Sequence, residues 1–179
     1  MNRSELPSSA CINRFATGTT PDVQIRLATP ADAEAIACVL SNSFAEYQSR
    51  YTAEGFTATV LTPQQVEARM TEGPIWVALD NGACVGTVSV VLKPEGLYIR
   101  GMAVDPVARG KSIGRKLLDC AEEFALQNYC ERLFLSTTPF LARAIKLYER
   151  YGFQRTIAGP DNLFGTPLFT MTRSLSTAG

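Results

Sequence analysis

Hydrophobic positions recur along this chain with two periods, two residues and about 3.6, and the switches between them mark out the elements. VQIRLAT, starting at Val23, alternates until Thr29-Pro30 stops it, which predicts a first strand. TPADAEAIACVLSNSFAEY then opens on a Thr cap with Pro at the first helical position. Ile36, Val39, Leu40 and Phe44 recur at helical spacing, so a first helix is predicted. QSRYTAEGFTATVL is looser, and TPQQVEARM is another Thr-Pro helix start. IWVALD and ACVGTVSVVLK read as two strands joined by Asn81-Gly82, a strong hairpin signal. Pro94-Glu95-Gly96 turns the chain into a fourth strand, LYIRGMAV. In the next helix Ile113, Leu117, Ala121, Phe124 and Ala125 share one face. Arg115, Lys116, Asp119, Glu122 and Glu123 oppose them. RLFLST is a fifth strand, PFLARAIKLYERYG a helix ending at Gly152, and FQRTIA and PLFTMTRSL are the last strands. The order is that of a mixed α/β (α+β) fold over residues 22–174, with a flexible polar lead-in at 1–21 and a short tail at 175–179.

The 179 residues suffice for one well-buried domain and are too few for two ordinary ones. With 17 basic and 17 acidic residues the chain is neutral, so neither nucleic acid nor a membrane is expected as a partner. No run approaches the roughly 18 apolar residues of a membrane span, and the first 20 residues lack the apolar centre of a secretion signal. The five cysteines are scattered, odd in number and without CxxC spacing, as expected of reduced thiols in a cytoplasmic protein. Histidine is absent, which removes Ser-His-Asp and Cys-His schemes and the usual catalytic zinc sites; no metal is expected.

The candidate chemistry lies in MAVDPVARGKSIGRKLL, from Met102 to Leu118. A strand stops at Asp105-Pro106, a basic loop with small residues follows, and a long helix begins. The first turn of a helix has unpaired N–H groups and the positive end of the dipole, so a phosphate fits there. Gly110, Ser112 and Gly114 would let the backbone approach an anion, and Arg109, Lys111 and Arg115 would add charge. The competing reading is that Gly114 only permits close helix packing while the charges are solvated. The loop is neither G-x-G-x-x-G nor GxxxxGK[ST], which argues against dinucleotide binding and ATP hydrolysis.

VDPVARGKSIGRKLL resembles the R/Q-x-x-G-x-G/A pyrophosphate motif of the GNAT superfamily of acyl-CoA-dependent N-acetyltransferases. ARAIKLYERYGF, Ala142 to Phe153, resembles the later A-x-x-L-Y-x-x-x-G-F segment of that superfamily. The resemblance covers residues 22–174 and implies a largely antiparallel sheet of six to seven strands with helices on both faces. It implies that the fourth and fifth strands splay to admit the pantetheine of acetyl-CoA along Met102, Ala103 and Val104. The pyrophosphate would then lie on the amides from Gly110 through Lys111, Ser112, Ile113 and Gly114 to Arg115. Tyr148 would protonate the leaving thiolate; the alternative is that it packs beside Leu147 and Phe153. The chain departs from the family at Ser112, where glycine is usual, and at Leu141, where asparagine is frequent. A strand glutamate acting as base is replaced by Tyr98 and Arg100, which leaves Glu46 or Glu95 acting through water, or a water chain alone.

Substrate choice is expected from SFAEYQSRYTAEGF, where Phe44, Tyr47, Tyr51 and Phe56 alternate with Glu46 and Glu54 as a surface suited to a cationic amine. The alternative is that Phe44 is core and the others cap the sheet. GPDNLFG, at 159–165, is expected as a loop over the same mouth. The acceptor is expected to be a small-molecule amine or a peptide amine, and a homodimer stays open. The rivals are a catalytically silent acyl-CoA-binding or regulatory module, and an interaction domain without a cofactor.

Overall fold

The computed structural model describes residues 23–176. The lead-in expected at 1–21 and the last residues of the tail lie outside the described residues. Seven strands form one sheet in the order β1-β2-β3-β4-β5-β9-β6. They are β1 Gln24–Leu27, β2 Ile75–Asp80, β3 Ala83–Lys93, β4 Gly96–Val104, β5 Arg132–Thr137, β6 Gln154–Thr156 and β9 Phe169–Ser174. Every neighbouring pair is antiparallel except β4 and β5, which run parallel. The Asn81-Gly82 turn joins β2 to β3 as its residue types require, with both residues at positive φ.

Helices cover both faces because each strand carries apolar residues on alternating sides. On one face α4 (Ile113–Gln127) and α5 (Ala142–Arg150) meet Val88, Val90, Leu97, Ile99, Leu133 and Leu135. The predicted α4 positions Ile113, Leu117, Ala121 and Ala125 are buried there, and Phe124 meets Trp76 edge-on with ring centroids 5.7 Å apart. On the other face α1 (Ala33–Phe44) and α3 (Pro63–Met70) close over Ile75, Val77 and Ala103 through Ile36, Val39, Leu40 and Val66. Thr62 caps α3 as a capping box with Gln65.

The structure differs from the sequence reading in two segments that pack together. The loose stretch after α1 contains a short helix, α2 (Ala53–Thr59), started by Thr52, whose hydroxyl accepts the Gly55 N–H. The 159–165 loop contains half of a small hairpin, β7 (Asn162–Leu163) with β8 (Thr166–Pro167), turned by Phe164 and Gly165 at positive φ. The two meet: the Thr52 hydroxyl donates to the Phe164 carbonyl at 2.8 Å, and the Thr52 N–H donates to the Thr166 hydroxyl at 2.9 Å.

A polar cluster joins α4, α5 and β9. The Tyr151 hydroxyl shares its one proton between Asp119 at 2.8 Å and Glu122 at 2.6 Å, while Arg173 grips Glu122 with two N–H groups at 2.7 and 3.0 Å. The Arg173 bond, reinforced by Tyr151, holds the Glu122 carboxyl below the usual carboxylate range against the opposing effect of burial. A carboxyl depressed in the folded state stabilises the fold above its unfolded value of about 4.3, and that stability is lost as pH falls through the lower folded value. Glu122→Gln should therefore melt below the wild type at pH 7, with the gap closing as both are taken toward pH 2. A gap constant over that range in thermal melts would remove Glu122 as an acid-sensitive support.

Candidate active site

The sheet opens between β4 and β5. Their ladder holds only Leu97 to Leu133, Tyr98 to Phe134 and Ile99 to Leu135, yet β4 continues to Val104 and β5 to Thr137. A bulge in β4 lies just past the last pair, where the register with β3 shifts between Thr87 and Ser89 and Gly101 takes φ +57°. Beyond the bulge Ala103 opposes Thr87, and the Asp105 N–H bonds the Val85 carbonyl at 2.8 Å. Antiparallel alternation then turns the backbone groups of Met102 and Val104 away from β3, into the gap. A cavity of about 820 Å³ occupies it, lined from Ile99 to Val104 on one side and from Leu135 to Thr138 on the other.

At the end of β4 the Asp105 carboxylate accepts the Val107 N–H at 3.1 Å and the Asn42 amide at 2.9 Å, which fixes the turn Pro106–Ala108. Gly110, at φ +88°, bends the chain with open space around it, and Ser112 enters α4 in the left-handed region at φ +57°. The Ser112 side chain makes no cap bond, so it leaves the first-turn amides of α4 uncovered beside the cavity. Gly114 has a packing role: a Cβ there would stand 2.6 Å from the Leu147 Cδ2 and 3.3 Å from the Met102 Cε. The two glycines thus serve different ends, one bending the loop and one seating α4 against α5.

A left-handed serine costs on the order of 1 kcal/mol over glycine, part of which glycine returns through its freer unfolded chain. Ser112→Gly should raise stability by up to about 1 kcal/mol, read as a small increase in Tm. A lower Tm would mean that the serine hydroxyl supports the loop.

The loop cations divide. Arg109 and Arg115 line the cavity. The Arg109 guanidinium also donates to Glu46, and Arg115 lies over the Tyr151 ring at 5.6 Å. Lys111 is not among the lining residues; its ammonium pairs with Asp80 at the end of β2.

Tyr148, on α5, is 7% exposed and borders the cavity, its ring centroid 5.8 Å from that of Phe153. Burial, with a smaller contribution from Tyr51, pushes its phenol well above the ordinary tyrosine value. Leu141, just before α5, is also a lining residue.

Opposite lies an aromatic group centred on Phe140, which the sequence reading missed because it placed Phe140 within the helix that here begins only at Ala142. Tyr51 meets it edge-on at 4.9 Å, Tyr47 stacks on it at 6.1 Å, and Arg50 lies over it at 5.2 Å. Phe44 and Phe56 flank Tyr51 at 6.4 and 5.9 Å. The aromatic half of the expected acceptor surface is therefore assembled, and the acidic half is not. Glu46 is absent from the lining and engaged by Arg109, and no Asp or Glu among the described residues lines the cavity. Glu95 lies before β4, where its carbonyl accepts two N–H groups of Arg132. Tyr98 and Arg100 do reach the cavity; Tyr98 lies against Phe134 at 5.1 Å, and Arg100 pairs with Glu72 at 2.7 Å. Arg69 of α3 joins them, a residue that no sequence signal marked.

No helix among the described residues is long and apolar enough to cross a membrane. The model of the acetyltransferase (GNAT) family matches residues 40–153. The aminoalkylphosphonate N-acetyltransferase of Salmonella typhimurium is 32% identical over 145 residues, covering 76% of this chain and 88% of the relative. The IAA acetyltransferase of Azospirillum brasilense is 38% identical over 79 residues, 43% of this chain and 52% of its own. The N-acetylaspartate synthetase of Danio rerio is 38% identical over 82 residues, 45% of this chain and 29% of its own. The chain thus spans about half or less of the length of these last two curated relatives. Among solved structures, the PaiA N-acetyltransferase of Thermoplasma acidophilum, in complex with coenzyme A, superposes with a TM-score of 0.72 at 16% identity, over 86% of this chain and 99% of that one. An opened parallel strand pair, an uncapped helix start beside it and a matching family model together make this chain a member of the GNAT acetyltransferase family.

Proposed function

We propose that the protein transfers an acetyl group from acetyl-CoA to the primary amine of a small-molecule acceptor, with residues 22–174 as the catalytic domain. The observation that carries this reading is the gap between β4 and β5, which ends at the uncovered amides of α4. An extended pantetheine arm suits the free edge of β4, where Met102 and Val104 present backbone groups as an adjoining strand would. A diphosphate suits the turn from Gly110 to Arg115 because the amides point outward and the dipole is positive there. Arg109 and Arg115 add charge at that end, and Arg143, Lys146 and Arg150 of α5 also line the cavity.

In the transfer the neutral amine nitrogen attacks the thioester carbonyl carbon and the C–S bond breaks. The departing sulfur takes a proton from the Tyr148 hydroxyl, which recovers one from the acetylated nitrogen through solvent. Burial keeps that phenol protonated at neutral pH, so the donor is present without a partner base. The cavity has no carboxylate lining among the described residues, which favours water as the route by which the incoming ammonium loses its proton. Peptide amines stay open as acceptors, as does a homodimer, and the cytoplasm as compartment rests on the scattered cysteines.

Calorimetry with acetyl-CoA, followed by measurement of CoA release across a panel of amines, tests this reading. Binding with turnover is expected. Binding without turnover on any amine would favour the silent acyl-CoA-binding module, and absence of binding would overturn both.

A further inference from the structure

We propose that the acceptor carries a compact oxyanion, a carboxylate or a phosphonate, a few bonds from its amine, and that Arg69 with Arg100 binds it at the β4 bulge. The inference rests on the acetyl-transfer reading and deepens it.

The cations around the cavity fall into two groups on opposite faces of the sheet. Arg115 of α4 and Arg143, Lys146 and Arg150 of α5 belong to the face that these helices cover, the face of the uncovered amides, and suit the phosphates of the carrier. Arg69 comes from α3, and Arg100 alternates with Leu97 and Ile99, whose side chains face α4 and α5. Both arginines therefore belong to the α1 and α3 side, where acetyl-CoA phosphates have no reason to be.

The positive charge there is not balanced. Arg100 is bonded to Glu72 at 2.7 Å, while Arg69 has no carboxylate within ion-pair distance among the described residues. Two guanidiniums and one carboxylate leave about one net charge. Arg69 is largely withdrawn from water, and this burial with the Arg100 charge lowers its pKa to about 10, so it stays charged at neutral pH but is poorly stabilised. The Arg100 Nε and the Ser89 hydroxyl are also buried without hydrogen-bond partners. Ser89 lies opposite Arg100 on β3 and shares a small recess with Arg69 and Gly101. A carboxylate or a phosphonate would meet the Arg69 guanidinium and the unpartnered Nε of Arg100, contacts for which arginine is suited.

Position sets the size of the acceptor. A Cβ at Gly101 would stand 2.9 Å from the Arg69 Nη1, so the guanidinium lies directly over the bulge, in room that a glycine leaves open. The next residue is Met102, whose backbone edge faces the gap where the thioester carbonyl would lie. An anion on Arg69 is therefore close to the reacting carbon, which suits short amino acids and aminoalkylphosphonates. A cationic amine without an anionic group, the kind of acceptor suggested by Glu46 and Glu54, is disfavoured.

The test uses the full chain with acetyl-CoA and three amines of similar size: β-alanine, 2-aminoethylphosphonate and n-propylamine. The proposal expects kcat/KM at least tenfold higher for one or both anionic amines than for n-propylamine, and the better of the two identifies the oxyanion. Arg69→Met should lower kcat/KM for the anionic amine about 100-fold, mainly through KM, with the acetyl-CoA Kd unchanged and n-propylamine turnover affected much less. Arg69→Lys should fall between, since it keeps charge without the fork. Equal rates on all three amines in the wild type, or an equal loss on all three in the variants, would overturn the proposal even if Arg69→Met failed to fold. Should acetyl-CoA not bind at all, the transfer reading fails separately. Calorimetry of 2-aminoethylphosphonate and β-alanine against wild type and Arg69→Lys then decides the anion site by itself: wild-type binding weakened by the substitution supports it, and absence of wild-type binding rejects it.

Discussion

Replacing Tyr148 by Phe is expected to lower kcat about 10²- to 10⁴-fold, the range for loss of a positioned general acid. The substitution removes one oxygen and keeps the ring that meets Phe153, so the fold and the acetyl-CoA Kd should hardly change. The contrast with the packing reading is direct. Were Tyr148 only a core residue, its phenylalanine variant would keep turnover and melt close to the wild type. Because burial raises this phenol, the wild type should also show no alkaline loss of activity from Tyr148 at pH 8 to 9, whereas an ordinary tyrosine would begin to ionise soon above that. Full turnover in Tyr148→Phe, measured by thiol release at saturating acetyl-CoA, would assign the proton to water.

Gly96→Ala is expected to cost about 2–5 kcal/mol, as overpacking against backbone adds to left-handed strain, and to lower Tm by about 5–15 °C. Gly96 opens β4 at φ +137°, and a Cβ there would stand 2.3 Å from the Arg132 carbonyl oxygen, a backbone atom that cannot turn aside. The site of the clash matters for function. Arg132 begins β5, and Leu97 opposite Leu133 is the first rung of the short ladder that closes one end of the opened strand pair. Forcing those strands apart at their closed end should misalign the gap at the other, so a raised acetyl-CoA KM is expected even at temperatures where the variant stays folded. Gly82→Ala is the control. It also has positive φ, +82°, but a Cβ there meets nothing within 4 Å, so only backbone strain of about 1–2 kcal/mol applies. Equal Tm losses for the two variants would show that the contact with Arg132 relaxes at no cost.

The local grammar of the chain made most elements readable. Thr-Pro starts, the Asn-Gly turn and the apolar stripe of α4 each act within a few residues, so they identify their helix or hairpin without knowledge of what packs on it. The same holds for the loop at Gly110 and for Tyr148, whose motifs lie within single stretches. The α2 helix was missed because its start depends on Thr52, whose own orientation is held by Phe164 and Thr166 more than 100 residues away. FQRTIA shortened to Gln154–Thr156 because only those residues have a partner on β9.

The acceptor side was the hardest to read, because its charged residues find their partners only in the fold. Glu46 and Glu54 stand among aromatics in the sequence, which suggests an acidic mouth. In the fold Glu46 is drawn to Arg109, 63 residues away, and Arg69 enters from a helix where one more arginine near the end looks like a solvated charge. Ser112 is an intermediate case. Its departure from glycine was visible, but whether it carried strain depended on a φ that only the folded loop assigns, and that φ is +57°.

By itself the chain's order of residues determined the main strands, the main helices and the anion-suited loop, because each depends on backbone preference and periodicity among near neighbours, whereas Tyr148 was marked by the family resemblance. The tertiary structure alone decided that β4 and β5 part after three rungs, that Lys111 turns to Asp80, and that Arg69 lies over the bulge. Those outcomes are settled by which charges and surfaces come within a few ångströms after distant segments pack, and at such range a single carboxylate captured or released reverses the sign of a site.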